Sequence, residues 1–507
     1  MTSRTVLIFI PILLFFAALA VTAVWTERRR SREKEKQRFA DEYFLGSRSL
    51  SGVVLAMTLV ATYGSVSSFV SGPGIAWKLG LGWVVFAAPQ IIAGFFILGL
   101  LGKKMALASR ASGAITVTGL LEVRFGSRAL TVLLSLALLI CFCAMMTGQF
   151  IGGAAIFAEA AGIDPVLGLL LFGLLTVFYT TFGGFRAVAW TDFVQGMLMV
   201  ITIVALPIAL ISNTPGFSSE MLNSIPKIVS EGGDTSGYMS MVSGMRPVDI
   251  ISNLAWAFGY FGMPHILVRF MAIKDTKSVK KSAIIAVVWV LISLTAAVLI
   301  GIVGRAYLDS QGVVLASSEM ELIFITTVKK LFPSFLGGIF LSAVLASIMS
   351  TADSQLLVTA SAVVNDFYTI IVKKESSEKK LMWISRISVI IISVIACILA
   401  LNPNDSIMGI VSNAWAGFGA AFGPAIVLSL YWKRLTLKGT VAGIIGGAGT
   451  VVIWEYILPN IVPAADSLYS IIPGVIVSVI LTVCVSLADK APSKEITDMF
   501  ELAKSEE

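Results

Sequence analysis

Runs of about 20 mostly apolar residues, repeated thirteen times along the chain, decide what this sequence can fold into. In hydrocarbon every backbone N–H and C=O has to find a partner within its own segment, so each run reads as a membrane-spanning helix. The runs lie near 5–26, 50–72, 80–102, 129–161, 163–182, 188–212, 247–272, 282–306, 334–365, 381–402, 406–432, 439–460 and 469–489. Charged residues make up 13% of the chain, against roughly 25% in soluble domains. The expected fold class is therefore an all-α integral membrane protein of about 13 transmembrane helices.

Basic residues give an independent test of that count, because Lys and Arg collect in cytoplasmic loops. With the N-terminus outside, 30 of the 37 Lys and Arg fall in predicted cytoplasmic segments, among them 103–128, 183–192 and 269–281. A missed or invented span would reverse the sign of every later loop. The predicted location is the plasma membrane, multi-pass, with the C-terminus cytoplasmic. The net charge of +7 then reflects orientation, and no nucleic-acid partner is needed to explain it. The end of the first span, ALAVTA, resembles a signal-peptide cleavage site. Cleavage there would leave Arg28, Arg29 and Arg30 outside, so the segment reads as a retained helix.

Cys141, Cys143, Cys397 and Cys484 all sit in apolar spans and read as small core residues. A single His and no CxxC or HExxH pattern provide poorly for metal-dependent or His-based catalysis, so an enzyme and a cofactor are not expected. No GxxxxGK[ST] motif for ATP is present.

Loops are short except for 213–246 and 307–333. The expected organisation is an extra span and basic loop (1–49), a transport core (50–432), two further helices (433–489) and a polar tail (490–507). Two spans in the core are interrupted. The second contains AlaThrTyrGlySer at 61–65 and SerGlyProGly at 71–74, and the seventh contains GlyTyrPheGlyMetPro at 259–264. Gly and Pro break helical hydrogen bonds and free carbonyls and amides, which hydrocarbon tolerates only around a protein cavity. Broken helices at matching positions of two halves point to an inverted-repeat transporter with its site at the midplane. The halves would be 50–212 and 247–432, five helices each. Ordinary close packing by Gly is the alternative.

On the ninth span Ser347, Ser350, Thr351 and Ser354 follow the i, i+3, i+4, i+7 rule and form one polar stripe. Hydroxyl and carbonyl oxygens suit a small hard cation such as sodium, although serines in membrane helices also bond to their own backbone. Asp353 lies beside the stripe, and an intramembrane carboxylate is a functional candidate by default.

These residues resemble the sodium:solute symporter family. GlyGlyPheArgAlaValAlaTrpThrAspPheValGlnGly at 183–196 is similar to that family's signature, and SerIleMetSerThrAlaAspSerGlnLeuLeu at 347–357 to its sodium-site helix. The resemblance implies a leucine-transporter-type 5+5 inverted-repeat core. It further implies a sodium site made by the carbonyls of Ala61, Gly64 and Ser347 with the hydroxyls of Ser350 and Thr351. It also implies a role for Asp192 near the cytoplasmic exit, with Asp353 and Ser354 at the matching positions of a second sodium site. A pair with a nearby arginine such as Arg186 is the alternative for Asp192.

Two subfamilies compete over the solute. Residues 42–48, 67–83 and 149–153 resemble sodium/pantothenate symporters, whereas 256–265 and 412–424 resemble sodium/proline symporters. Proline carriers have Asp and Trp where this chain has Tyr63 and Ser67, and the first expectation is pantothenate or a similar monocarboxylate, with proline as the alternative. Tyr63, Ser67 and Ser68 could donate hydrogen bonds to the solute, and Trp256 and Tyr260 could wall its apolar part. His265 reads as a hydrogen-bonded structural residue, with a proton relay as the alternative. A proton-coupled carrier and a transporter-like sensor are the rival classes. The expected partners are the solute, sodium and the lipid bilayer; the sequence does not set the oligomeric state.

Overall fold

The computed structural model describes residues 3–32, 39–63, 65–96, 100–228, 235–369, 377–402 and 406–493. Helices occupy all thirteen predicted segments. Among the described residues ten helical stretches are long and apolar enough to cross a bilayer, and the remaining spans are shorter or interrupted.

α1 (Ser3–Arg32) is the first span. The second is divided into α2 (Gly52–Tyr63) and α3 (Gly72–Leu79), with α4 (Trp83–Phe96) after it. α5 (Arg128–Ala161) is followed by α6 (Pro165–Asn213), a helical path that contains both the fifth and sixth spans. The predicted loop at 183–192 shrinks to a single interruption at Gly184, whose φ of 61° and ψ of −178° suit glycine. The seventh span falls into α7 (Pro247–Leu254), α8 (Ala257–Phe261) and α9 (Pro264–Met271). Then come α10 (Ser278–Ser310), α11 (Ser334–Ser361), α12 (Glu378–Ala400), α13 (Ile407–Ala421), α14 (Gly423–Tyr431), α15 (Leu437–Tyr456) and α16 (Ile471–Ala488).

Both predicted breaks have local causes. After α2 the chain leaves α geometry, passes through π winding at Ser67–Ser71 and restarts with Pro73 in the first turn of α3. Pro73 has no N–H to give to the preceding π turn. Met263 is extended, and Pro264 opens α9 at a position whose N–H would have no helical partner. A further turn at Ala255–Trp256, which the sequence did not announce, separates α7 from α8.

Lipid-facing and central helices differ in where their apolar residues point. α12 leaves Ile387, Ile390, Ile391, Val394 and Ile398 exposed on one face, as a helix against acyl chains does. α11 is buried along nearly its whole length and forms the centre of the bundle. α3 is held backbone against backbone. A Cβ on Gly80 would lie 1.9 Å from the carbonyl oxygen of Tyr238, and one on Gly301 of α10 would lie 2.4 Å from that of Pro73. Tyr238 Oη donates to the carbonyl of Trp77 at 2.9 Å, and Arg305 Nη1 donates to the same oxygen at 3.0 Å. The charge count placed Arg305 in an outer loop and Arg269 in an inner one. Both are buried, Arg305 on α10 and Arg269 on α9, because each finds acceptors inside the bundle.

Candidate functional site

A turn of α helix takes 3.6 residues, so positions 347, 350, 351 and 354 share one face of α11. That face meets the break in the second span. Ser350 Oγ lies 2.8 Å from the carbonyl oxygen of Ala61 and 3.0 Å from that of Ser347. Thr351 Oγ1 lies 3.3 Å from the carbonyls of both Thr62 and Ser347, and Ser347 Oγ donates to the carbonyl of Ser65 at 3.1 Å. The last carbonyls of α2 lack intrahelical partners, and the C-terminal end of a helix is its negative pole. The result is a buried pocket of neutral oxygens, a ligand set for a hard cation.

One turn further along α11 the polar groups are charged. Arg269 Nη2 is 3.0 Å from Asp192 Oδ2 and 2.5 Å from Ser354 Oγ, and its Nε donates to Thr58 Oγ1 at 2.9 Å. Thr58 in turn donates to the same Asp192 oxygen. Tyr179 Oη donates to Asp353 Oδ2 at 2.8 Å, and Ser354 Oγ lies 3.1 Å from Asp353 Oδ1. Asp192 and Asp353 are both 0% exposed and Arg269 is 1% exposed, so Asp192 and the guanidinium are paired away from water, and Ser354 links that pair to Asp353. Asp192 Oδ1 has no hydrogen-bond partner among the described residues.

Beside the neutral pocket lies a cavity of about 40 Å³ whose walls include Thr62, Ser65, Trp83, Trp256, Tyr260 and Thr351. His265, Trp415 and Met145 also contribute. The aromatic walls brace one another. Tyr260 meets Trp415 edge to face at 4.5 Å, Trp256 stacks on Tyr469 at 5.7 Å, and Trp415 Nε1 donates to the carbonyl of Trp256 at 2.9 Å. Three polar atoms of the wall residues, Thr62 Oγ1, Trp83 Nε1 and His265 Nδ1, are buried without a partner among the described residues. A wider vestibule of about 470 Å³ shares Phe86, Trp256 and Met408 with this cavity.

Residues 43–447 match the sodium:solute symporter family. The chain belongs to that family. It is 39% identical over 463 residues to the osmoregulated proline transporter OpuE of Bacillus subtilis (strain 168), covering 91% of this chain and 92% of that one. The high-affinity proline transporter PutP of the same organism is 37% identical over 470 residues, covering 90% and 95%. A sodium/proline symporter of Staphylococcus aureus is 35% identical, covering 89% and 88%. In fold the chain resembles a substrate-bound, outward-open Na+-coupled sialic acid symporter, with a TM-score of 0.77 at 20% identity over 96% of this chain and 99% of the other. MhsT in complex with L-phenylalanine gives 0.56 at 12% identity, covering 87% and 99%. The chain is therefore a transporter and not an enzyme, and its core is of the leucine-transporter type. The named relatives favour proline over the first expectation of pantothenate.

Within this sodium:solute symporter, four of the five expected sodium ligands, Ala61, Ser347, Ser350 and Thr351, come together, and Gly64 lies outside the described residues. Asp192, Asp353 and Ser354 form one cluster, in which the partner of Asp192 is Arg269. The side chain of Arg186 lies outside the described residues. Trp256 and Tyr260 stand on the cavity wall. Ser68 is buried and is not among the described wall residues, and the side chains of Tyr63 and Ser67 lie outside the described residues. Sequence reasoning missed Arg269, Thr58 and Tyr179. It also missed Trp83 and Trp415, although Trp415 lies inside the 412–424 stretch that resembles proline symporters.

Proposed function

We propose that this symporter carries L-proline inward together with sodium across the plasma membrane, its N-terminus outside and its C-terminus cytoplasmic. The observation that carries the reading is Thr351, whose side chain belongs both to the neutral oxygen pocket and to the wall of the solute cavity. Ion and solute are then neighbours. Sodium held by Ala61, Gly64, Ser347, Ser350 and Thr351 fixes the α2 terminus against α11, which shapes the cavity and raises affinity for the solute. Reciprocity requires the solute to tighten sodium by the same factor. A carboxylate in the cavity would take the unpartnered Trp83 Nε1 and Thr62 Oγ1, and an apolar ring would lie against Trp256, Tyr260 and Trp415. Sodium would leave through Asp192, Asp353 and Ser354, a cluster that could also hold a second ion. The halves 50–212 and 247–432 would rock about this centre. The driving force is the sodium gradient plus about 2.3 kcal/mol per charge per 100 mV of potential.

The named relatives support proline. One observation favours pantothenate as a second reading: Tyr63 and Ser67 and the stretch 67–83 resemble pantothenate carriers more than proline carriers. Uptake of labelled proline and labelled pantothenate into vesicles reconstituted with the purified protein, each competed by the other unlabelled solute, separates the two. Sodium-dependent proline uptake that pantothenate does not inhibit is expected. Pantothenate uptake indifferent to proline would establish the second reading, and uptake undiminished when choline replaces sodium would remove sodium coupling.

A further inference from the structure

Beyond Ser354 the inward face of α11 continues through Leu357, Val358 and Ser361. With Ala362 these line an enclosed space that has Arg269 on one wall and Thr116 and Thr118 on another. At Ala362–Tyr368 the winding changes from α to π, a local irregularity frequent at functional sites. Within that segment Asp366 turns toward the two threonines. Thr116 Oγ1 donates to its Oδ1 at 3.2 Å, and Thr118 Oγ1 and Ser135 Oγ donate to its Oδ2 at 2.5 and 2.6 Å. Thr116 Oγ1 also accepts from the backbone of Gly119 at 2.8 Å, which holds that oxygen in place.

Asp366 is 2% exposed. None of the described ion pairs includes it, and each of its described donors is a neutral hydroxyl. A carboxylate buried with neutral partners only is costly, and a cation offsets that cost. Two carboxylate and three hydroxyl oxygens make a hard ligand set of the kind sodium takes. Twelve residues of helix at 1.5 Å each put this site about 18 Å inward of Ser354. We propose that Asp366, with the hydroxyls of Thr116, Thr118 and Ser135, is a relay site that accepts the cation leaving the Asp192–Asp353 cluster and passes it to the cytoplasmic side. The inference rests on the sodium-coupled reading given above.

The test uses vesicles and whichever of labelled proline or pantothenate the parent protein takes up. Asp366→Asn should slow net sodium-driven uptake about tenfold, equivalent to ~1.4 kcal/mol of barrier. Half-saturating external sodium should stay within about twofold of the parent, because the outer pocket is untouched. Exchange of internal for external solute, with sodium saturating on both sides, does not require the ion to leave and should run at the parental rate. Equal loss of net uptake and exchange would mean that Asp366 is a structural lock and would overturn the relay, as would net uptake at the parental rate. Ser135→Ala should show the same split more mildly and carries the test if Asp366→Asn does not reach the membrane. Parental uptake indifferent to sodium defeats the functional reading; parental sodium dependence without the split defeats only the relay.

Discussion

The two polar clusters on α11, one helical turn apart, accommodate polarity in hydrocarbon by opposite means. The first, at Ala61, Ser347, Ser350 and Thr351, contains no ionisable group, and its hydroxyls rest on carbonyls of their own and the facing helix. The second, at Thr58, Asp192, Arg269, Asp353 and Ser354, is built around the Asp192–Arg269 ion pair, with hydroxyls bridging the charged groups. A pocket of dipoles can gain or lose a cation with little change elsewhere. In a cluster of charges each member is obligatory for the rest. The first arrangement offers a cation dipoles alone, and the second ties four helices together around charged groups.

Removing the one guanidinium should have the largest effect. Arg269→Ala leaves the buried Asp192 without its ion-pair partner and should cost about 3–5 kcal/mol, seen as a lower melting temperature and yield of folded protein in detergent. Adding Asp192→Asn should recover part of the loss. Parental stability of Arg269→Ala would break the contrast between the clusters.

A smaller and different effect is expected in the neutral pocket. Ser350→Ala or Thr351→Ala removes one hydroxyl ligand worth about 1–1.5 kcal/mol, so half-saturating sodium should rise roughly tenfold with the melting temperature near that of the parent. Unchanged sodium dependence would reject the assignment.

The smallest effect belongs to Glu321, a carboxyl between the two regimes. It accepts a hydrogen bond from Ser71 at 2.7 Å, and burial holds it above the usual glutamate range, a shift that the bond partly opposes. A raised folded-state value means that protonation stabilises the fold. That contribution is fully present below the ordinary value of about 4.3 and is lost as pH rises through the folded-state value. Relative to Glu321→Gln, the parent should gain thermal stability as pH is lowered from neutrality toward that range. Parallel pH profiles for the two proteins would exclude it.

The spans were legible because apolar runs of this length have few other uses, and both breaks were legible from Gly64, Gly262 and Pro264. The hydroxyl stripe at 347, 350, 351 and 354 followed from helical periodicity alone. Arg269 was not legible. A lone arginine at the edge of a span looks like a loop residue, and its acceptors, Asp192, Thr58 and Ser354, lie 77, 211 and 85 residues away in the chain. Trp83 and Trp415 escaped for a related reason: an aromatic residue in a span is most often packing, and only the folded cavity distinguishes them.

The glycine contacts around α3 have a mechanical consequence. With Tyr238 pressed on Gly80 and Pro73 pressed on Gly301, this half-helix cannot slide past its neighbours and must travel with the 235–245 segment and α10 as one lever. Motion of that lever is then passed to the end of α2, where Ala61 and Thr62 present their carbonyls. A binder that immobilised the 235–245 segment through its exposed Met241 and Val242 would stall that lever and be felt at the cation ligands without touching them.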